Sequence, residues 1–376
     1  MGTIRLALVV VLTALSLGAA PPSDRGEAPS ELQRWQGRFL RFEADDPTTG
    51  RDYWLYVPGR LDRNRGRGPT LVVYLHGCNQ DAVEAAIGTR WNALAEREGF
   101  LVVYPDQHDP NTDPPEDQLG HHVGGVGNGA RCWNWFRPEH QTRESGEPAM
   151  IADITRRVMD RYRVDPDRVY LLGLSAGGIM AGVMGATYPD LYAAIGIFAG
   201  CAYPDCADVT GLAAADAMGK HARPLPVMVL QGTADTLVVA PAGLTPVPQW
   251  LGTADKVDDG VVNGSVPRTP ASTEHRGLDP SLLDGLGTVG DLCVRNRNFP
   301  CLGGPLGEGA TYPTSVQTYV DARGCSLVEL WLVHGLGHGY PGGDPEGTFT
   351  DPHGPDGTAG AWDFFTRHPR TWRETC

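Results

Sequence analysis

The stretch "RVYLLGLSAGGIMAGV" at residues 168–183 joins an apolar run to a Gly-x-Ser-x-Gly motif and then to a segment of small residues. The apolar run is typical of a buried strand, and the small residues predict a helix that packs closely on a sheet. Gly173 and Gly177 allow the backbone to turn sharply, so that Ser175 would present its hydroxyl at the start of the helix. The alternative is an ordinary serine where a strand becomes a helix, and the rest of the chain has to decide between the two.

Apolar runs that predict strands alternate with helical segments along the chain. Strands are predicted at 53–57, 70–76, 100–105, 168–174, 193–200, 225–232 and 327–335. Helices are predicted at 91–99, 147–163, 176–189 and 358–369. This alternation predicts an α/β fold, in which a mostly parallel sheet is covered by helices on both faces.

The length of 376 residues is compatible with one large α/β domain, which we place at 21–376. Residues 240–312 depart from the pattern, because they are rich in Pro, Gly, Asp and Asn and show no clear periodicity. A loop of that length is either functional or poorly ordered. We expect an insertion or flap, stapled in part by Cys293 and Cys301.

A serine becomes a strong nucleophile when a histidine takes its proton, and the histidine needs a carboxylate to orient it. Asp235 in "VLQGTADTLV" and His338 in "LVHGLGHGYPGG" each follow a predicted strand, as Ser175 does. In a parallel sheet the carboxyl ends of the strands share one edge, so the three residues are expected to lie together. Their chain order is that of the α/β-hydrolases. The sequence therefore predicts Ser175 as nucleophile, Asp235 as acid and His338 as base.

Other residues compete for two of these roles. The weaker candidates for the acid are Asp205, Asp208 and Asp216. Asp235 itself has the alternative of an Asx turn in a polar loop. His334 is the local rival of His338, but it lies at the strand end itself, where a side chain more often packs or forms structural hydrogen bonds.

The negative charge that develops on a substrate oxygen requires N–H donors. We predict that these are the backbone N–H groups of Ala176 and of Cys78 in the loop "YLHGCNQDA". His76 in the same loop is predicted to shape the loop, with a catalytic role as the minority alternative.

The N-terminal segment combines Arg5, an apolar stretch at 6–17 and small residues at 18–20. This pattern predicts a secretory signal peptide at 1–20 and a secreted, extracellular protein. A membrane anchor is the alternative, although the apolar stretch is short for one. No span is expected in the mature chain.

Eight cysteines in an exported chain predict disulfides. A zinc site fits their spacing poorly, because no histidine ligands lie beside them. The predicted pairs are Cys78–Cys132, Cys201–Cys206, Cys293–Cys301 and Cys325–Cys376. The first of these would stiffen the loop that carries the Cys78 N–H.

The stretch "RCWNWF" at 131–136 places Trp133 and Trp135 beside Cys132. Both tryptophans have the alternative of a place in the core. If Cys132 bridges to Cys78, at least one of them is expected to line the cleft, since aromatic side chains often line ligand sites.

Six blocks occur in order along the chain: "LVVYLHGCNQDA", "CWNWF", "RVYLLGLSAGGIMAGVMGATYPDLYAAIGIFAG", "RPLPVMVLQGTADTLV", "ELWLVHGLGHGYPGG" and "GTFTDPHGPDGTAGAWDFF". Together they resemble the extracellular poly(3-hydroxybutyrate) depolymerase family of esterases, which also contains feruloyl and acetylxylan esterases. The resemblance implies an α/β-hydrolase fold, an acyl-enzyme mechanism, secretion, and the same triad and oxyanion residues by position. The family usually has a Trp shortly after the catalytic histidine. Here Gly339 and Tyr340 follow His338, so Tyr340 is expected beside the acyl pocket.

These observations predict a secreted serine esterase that acts on poly(3-hydroxybutyrate) or short-chain polyhydroxyalkanoate oligomers, with no cofactor and no metal. A feruloyl or acetylxylan esterase is the near alternative, and a non-catalytic secreted binding protein is the alternative of another class. A serine peptidase has little support, since the chain shows neither a propeller domain nor an amine-anchoring acidic pair. The net charge of −14 argues against a nucleic-acid partner. The expected partner is an ester substrate, soluble or polymeric, and the oligomeric state stays open.

Overall fold

The computed structural model describes residues 34–44, 51–107, 130–277 and 311–376. The predicted signal peptide and the predicted Cys293–Cys301 disulfide lie outside these residues. The predicted insertion at 240–312 is described as far as residue 277 and again from residue 311.

Within the described residues, ten strands form one sheet. In chain order they are β1 (Arg38–Phe42), β2 (Tyr53–Val57), β3 (Leu71–Leu75), β4 (Leu101–Pro105), β5 (Val169–Leu174), β6 (Ala194–Phe198), β7 (Val227–Gly232), β8 (Ser272–Arg276), β9 (Thr314–Val320) and β10 (Ser326–Val333). A small second sheet pairs β11 (Tyr340–Pro341) with β12 (Thr350–Asp351) in parallel.

The order of strands across the large sheet is β1-β2-β4-β3-β5-β6-β7-β10-β9-β8. Neighbours from β4 to β10 are parallel, and antiparallel strands lie at both edges. The central strands are buried apolar runs, such as "LVVYL" in β3 and "VYLLGL" in β5, as expected of a parallel sheet with both faces covered. The carboxyl ends of β5, β7 and β10 therefore lie along one edge.

The helices pack on both faces of this sheet. They are α1 (Ala82–Thr89), α2 (Trp91–Glu98), α3 (Gly146–Tyr162), α4 (Ala176–Thr187), α5 (Leu212–Met218), α6 (Ala240–Gly243), α7 (Pro246–Asp259), α8 (Gly357–Arg367) and α9 (Trp372–Thr375). One hydrophobic core contains apolar residues of α3, α4, α5 and α7. A second core contains those of α1, α2 and α8. The predicted α/β fold is thereby confirmed.

The predicted insertion differs from an irregular loop over its described first half. It contains α7, in which Trp250 and Leu251 are buried in the same core as α4. Pro246 occupies the first helical turn, where a missing N–H costs nothing, and Gly260 ends the helix in the left-handed conformation. The Pro and Gly content that suggested a loop thus marks the two ends of a helix.

Three of the predicted disulfides are present: Cys78–Cys132, Cys201–Cys206 and Cys325–Cys376. The last attaches the C-terminal residue to the start of β10. Within the described ranges, no helix combines the length and the apolar character needed to cross a membrane.

Candidate active site

Ser175 lies at the turn between β5 and α4, with φ +58° and ψ −123°. A positive φ is costly for a residue with a side chain, by roughly 1–3 kcal/mol, and such strain clusters at functional sites. The turn is held from β6, because the Ser175 N–H donates to the Phe198 carbonyl at 2.9 Å. Ser175 is partly exposed although the residues on either side are buried.

The two glycines of the motif allow this turn to sit directly on the end of β3. A Cβ at Gly177 would lie 2.1 Å from the Leu75 carbonyl oxygen and 2.5 Å from that of His76. A Cβ at Gly173 would lie 2.4 Å from the carbonyl of Gly177. Since only glycine fits at such distances, the motif is a packing requirement of the turn that presents Ser175.

His338 and Asp235 form a hydrogen-bonded pair, in which the carboxylate is buried and the imidazole is partly exposed. The distance from His338 Nδ1 to Asp235 Oδ2 is 2.8 Å, and the Asp235 side chain has no exposure to solvent. The other carboxylate oxygen, Oδ1, accepts the N–H groups of Leu237 and Val238 at 2.9 Å each. Because a carboxylate only accepts, neutral His338 donates from Nδ1 and keeps Nε2 as an acceptor.

The loops that carry this pair are cross-linked. The Ala234 N–H donates to the Leu336 carbonyl at 3.0 Å, and the Gly335 N–H donates to Thr233 Oγ1 at 2.9 Å. These bonds join the segment after β7 to the segment after β10, so the acid and the histidine are placed by one rigid unit.

Ser175 shares the sheet edge with the His338–Asp235 pair. Among the hydrogen bonds of the described residues, none joins Ser175 Oγ to His338. Catalytic hydrogen bonds are often long before substrate is bound, so Ser175 stays the predicted nucleophile, supported by the strained turn and by its place at this edge.

The loop of the predicted Cys78 donor lies beside Ser175. A Cβ built on Gly77 would be 3.4 Å from the Ser175 Cβ, so the loop that carries Cys78 reaches the serine. Within the described part of the chain, neither the Cys78 N–H nor the Ala176 N–H has an acceptor among the hydrogen bonds formed. Two free donors next to a candidate nucleophile are what an oxyanion hole needs.

His76 is part of the support for this loop. It is fully buried, its Nδ1 donates to the Gly77 carbonyl at 2.8 Å and its Nε2 accepts the Gln107 N–H at 3.1 Å. Burial lowers the pKa of His76 to about 4, which keeps the imidazole neutral at pH 7. The prediction that His76 shapes the loop agrees with these contacts.

His334 is likewise placed in a structural position. It is buried, with Nε2 at 2.8 Å from Ser315 Oγ. Burial, assisted by nearby His275, lowers the pKa of His334 to about 4. His334 therefore forms a structural hydrogen bond to β9, and His338 stays the predicted base.

Two of the alternative acids accept hydrogen bonds within their own turns. Asp208 accepts the N–H groups of Thr210 and Gly211, and Asp205 accepts that of Ala207. Asp216 is exposed on α5. Among the four candidates, Asp235 alone bonds to a histidine at this edge.

Two of the residues predicted to line the substrate are core residues. Trp133 is fully buried, and its Nε1 donates to the His76 carbonyl at 3.1 Å. Tyr340 is 1% exposed, bonds to Thr358 through its hydroxyl, and packs against Tyr74. The prediction that Trp133 and Tyr340 line the cleft is wrong, because neither side chain offers surface to a ligand. Trp135 is partly buried and packs against the core, and its place in the cleft stays a prediction.

Apolar side chains that the sequence pattern did not single out lie at this edge instead. Phe349 is 39% exposed and meets the His338 ring edge to face, with ring centres 6.5 Å apart. Leu237, two residues beyond Asp235, is 69% exposed. Phe349 stands in one of the blocks quoted above, but no chemical motif distinguishes it there.

A buried polar network supports the Cys132 segment. The Glu147 carboxylate has no exposure and accepts the Asn134 N–H at 2.7 Å, the Asn134 side-chain amide at 2.9 Å, and the Gln107 side-chain amide. Gln107 also donates to the Cys132 carbonyl at 3.0 Å.

In the described residues, no group of three or more His, Cys, Asp or Glu side chains is arranged to hold a metal ion.

Comparison with known proteins gives concordant matches. The family described as "Esterase PHB depolymerase" matches residues 51–247. Poly(3-hydroxyalkanoate) depolymerase C of Paucimonas lemoignei is 30% identical over 76% of this chain and 58% of the relative. Feruloyl esterase B of Neurospora crassa is 31% identical over 42% of this chain and 46% of the relative.

Among solved structures, an acetyl xylan esterase from Aspergillus awamori has a TM-score of 0.54 and 19% identity, covering 80% of this chain and 93% of its own. This similarity supports the fold. The chain spans about half the length of the curated relatives it matches.

Proposed function

Because this chain belongs to the esterase PHB depolymerase family, we propose that it is a secreted serine esterase that cleaves carboxylic esters through an acyl-enzyme. The observation that carries the proposal is the 2.8 Å bond from His338 Nδ1 to Asp235 Oδ2, at the sheet edge where Ser175 occupies a strained turn. The proposed triad is Ser175, His338 and Asp235.

In the first step, Ser175 Oγ attacks the ester carbonyl carbon while its proton passes to His338 Nε2. Asp235 keeps the imidazole in the reactive tautomer and stabilises the positive charge that it gains. The tetrahedral oxyanion accepts hydrogen bonds from the Cys78 and Ala176 N–H groups. The carbonyl then reforms, the bond to the alcohol oxygen breaks, and His338 returns the proton to the leaving alcohol.

In the second step, water takes the place of the alcohol. His338 removes a proton from the water as its oxygen attacks the acyl carbon, and a second oxyanion forms between the same two donors. Collapse of this intermediate breaks the bond to Ser175 Oγ, which regains its proton from His338. The free acid leaves, and no cofactor takes part in this cycle.

The proposed substrate is poly(3-hydroxybutyrate) or a short-chain polyhydroxyalkanoate oligomer. The name of the Paucimonas lemoignei relative supports this class, since that match covers 76% of the chain. The exposed side chains of Leu237 and Phe349 beside the acid and the histidine provide apolar surface suited to an aliphatic ester. Secretion is part of the proposal because disulfides such as Cys78–Cys132 persist in oxidising compartments.

The test is loss of turbidity from a suspension of poly(3-hydroxybutyrate) granules, with p-nitrophenyl butyrate as a soluble ester and Ser175→Ala as the blank. Clearing that depends on Ser175 supports the full proposal. Hydrolysis of the soluble ester without clearing restricts the proposal to oligomers, feruloyl esters or acetyl esters. Equal rates from wild type and Ser175→Ala would overturn the assignment of the nucleophile, and silence in both assays would favour a binding protein.

A further inference from the structure

Gln80 joins two distant segments through a buried carboxamide. Its side chain is 3% exposed, Oε1 accepts the Gly77 N–H at 2.9 Å, and Nε2 donates to the Thr348 carbonyl at 2.8 Å. Gln80 and Thr348 are 268 positions apart in the chain. The carboxamide oxygen therefore bonds to one segment, and the carboxamide nitrogen bonds to the other.

The first segment carries a proposed oxyanion donor. Both backbone polar groups of Gly77 are bonded to Gln80, because the Gln80 N–H also donates to the Gly77 carbonyl at 3.3 Å. The next residue is Cys78, whose N–H is free of acceptors among the described residues. Gly77 lies against Ser175. The Cys78 N–H belongs to the Gly77–Cys78 peptide, so the orientation of that peptide decides where this N–H points relative to the serine.

The second segment is attached to the proposed base. Thr348 precedes Phe349, whose ring lies edge to face with the His338 ring. The Phe349 carbonyl in turn accepts the Tyr340 N–H at 2.7 Å, two residues after His338. The carboxamide of Gln80 thus bonds directly to both the loop of the oxyanion donor and the loop that contacts the histidine.

We propose that Gln80 is a positioning residue, which holds the Cys78 N–H in register with Ser175 and His338. The inference rests on the proposed function, because it assigns a cause to the geometry of that site. Misplacement of a reacting group by about 1 Å costs on the order of 10²-fold in rate. Loss of one oxyanion donor costs about 10²–10³-fold in kcat.

The test compares Gln80→Met with Gln249→Met. Methionine fills about the same volume but removes every hydrogen bond of the carboxamide. Gln249 is a matched control, since it is also fully buried and bonds to the N–H and carbonyl of one backbone residue, Tyr203. With p-nitrophenyl butyrate, Gln80→Met is expected to lower kcat by about 10–100-fold with little change in KM. Gln249→Met is expected to lower thermal stability and leave kcat within about twofold.

An alkyl boronic acid separates positioning from general damage, because its adduct with Ser175 places an anionic oxygen in the oxyanion hole. Its Ki should rise in Gln80→Met by the same factor as kcat falls. Gln80→Glu keeps the acceptor for the Gly77 N–H but places a second acceptor against the Thr348 carbonyl, so it should also lower kcat. An unchanged kcat in a folded Gln80→Met, or equal kcat losses in Gln80→Met and Gln249→Met, would overturn the inference.

Should neither Gln80 variant fold, amide hydrogen exchange of the wild-type protein gives the answer. The Gly77 amide should be protected before boronate binds, and the Cys78 amide should gain protection only in the adduct. A Gly77 amide that exchanges as fast as that of Cys78 in the free protein would overturn the inference. Failure of the proposed function is distinct, since it would appear as ester hydrolysis that survives Ser175→Ala.

Discussion

The imidazole of His338 lies 2.8 Å from the carboxylate of Asp235, across 103 positions of the chain. The bond uses only Oδ2, because Oδ1 already accepts the Leu237 and Val238 N–H groups. The carboxylate therefore has a fixed orientation, and it can present only an acceptor to the imidazole.

Asp235→Asn should lower kcat by about 10⁴-fold while the protein stays folded. The two backbone N–H groups require an oxygen at the Oδ1 position, so the asparagine must turn its amide NH₂ toward His338. That donor favours the tautomer with the proton on Nε2, which can no longer accept the proton of Ser175. The measurement is kcat for p-nitrophenyl butyrate, beside thermal unfolding of the same samples. Asp208→Asn is the control, and it should retain wild-type activity; a strong loss in Asp208→Asn alone would move the acid to that residue.

Gly177→Ala should destabilise the protein by about 3 kcal/mol or more, because overpacking and backbone shifts follow from a Cβ 2.1 Å from the Leu75 carbonyl oxygen. Gly182 in the same helix is a matched control. A Cβ there would lie 3.6 Å from the nearest atom, an ordinary contact with Ile197. Gly182→Ala should stabilise by up to about 1 kcal/mol through helix propensity. Urea unfolding of both variants tests this, and similar effects of the two substitutions would contradict the packing argument.

Replacing the Cys78–Cys132 disulfide by two serines should lower stability by about 2–4 kcal/mol and should also lower kcat. The Cys325–Cys376 disulfide is the control, because its sequence separation of 51 is close to the 54 of the first. Both pairs should cost similar stability, but the second lies away from Ser175 and its loss should leave kcat unchanged. The measurements are unfolding curves and kcat of the two double variants. If the variant without Cys78–Cys132 had the same kcat as the variant without Cys325–Cys376, preorganisation of the loop by Cys78–Cys132 would be excluded.

The positions of the proposed triad could be predicted from sequence because each follows a strongly apolar strand. For Ser175, Asp235 and His338, the strand end, the Gly-rich turn and the chain order are all local features. The sheet places them together whatever the details of packing.

Other features depend on contacts that no local pattern encodes. Trp133 was predicted to line the cleft, yet its indole bonds to the carbonyl of His76, which is 57 positions away. Helix α7 was missed because its flanking Pro246 and Gly260 resemble loop composition. No local sequence pattern marks Gln80 as a positioning residue, because its partner Thr348 lies 268 positions further along the chain.

Asp106 gives a prediction about pH and stability. Its carboxyl accepts the Ala82 N–H at 3.0 Å, and burial, together with the charge of Asp81, raises its pKa from 3.8 to about 7. The folded protein therefore binds this proton more tightly than the unfolded chain, and between pH 4 and pH 7 the contribution of Asp106 to stability falls as the pH rises.

Asp106→Asn removes this dependence and keeps an oxygen for the Ala82 N–H. The free energy of unfolding of the variant relative to wild type should therefore increase from pH 4 to pH 7 and then level off. The total gain should lie between about 1 and 4 kcal/mol. Neighbouring His76 stays neutral in the folded protein over most of this window, because its pKa is lowered to about 4, and its titration in the unfolded chain is common to both proteins and cancels in the difference. Urea unfolding at pH 5, 6, 7 and 8 measures the difference, and a difference that is flat across this range, or that declines with pH, would show that Asp106 is ionised throughout.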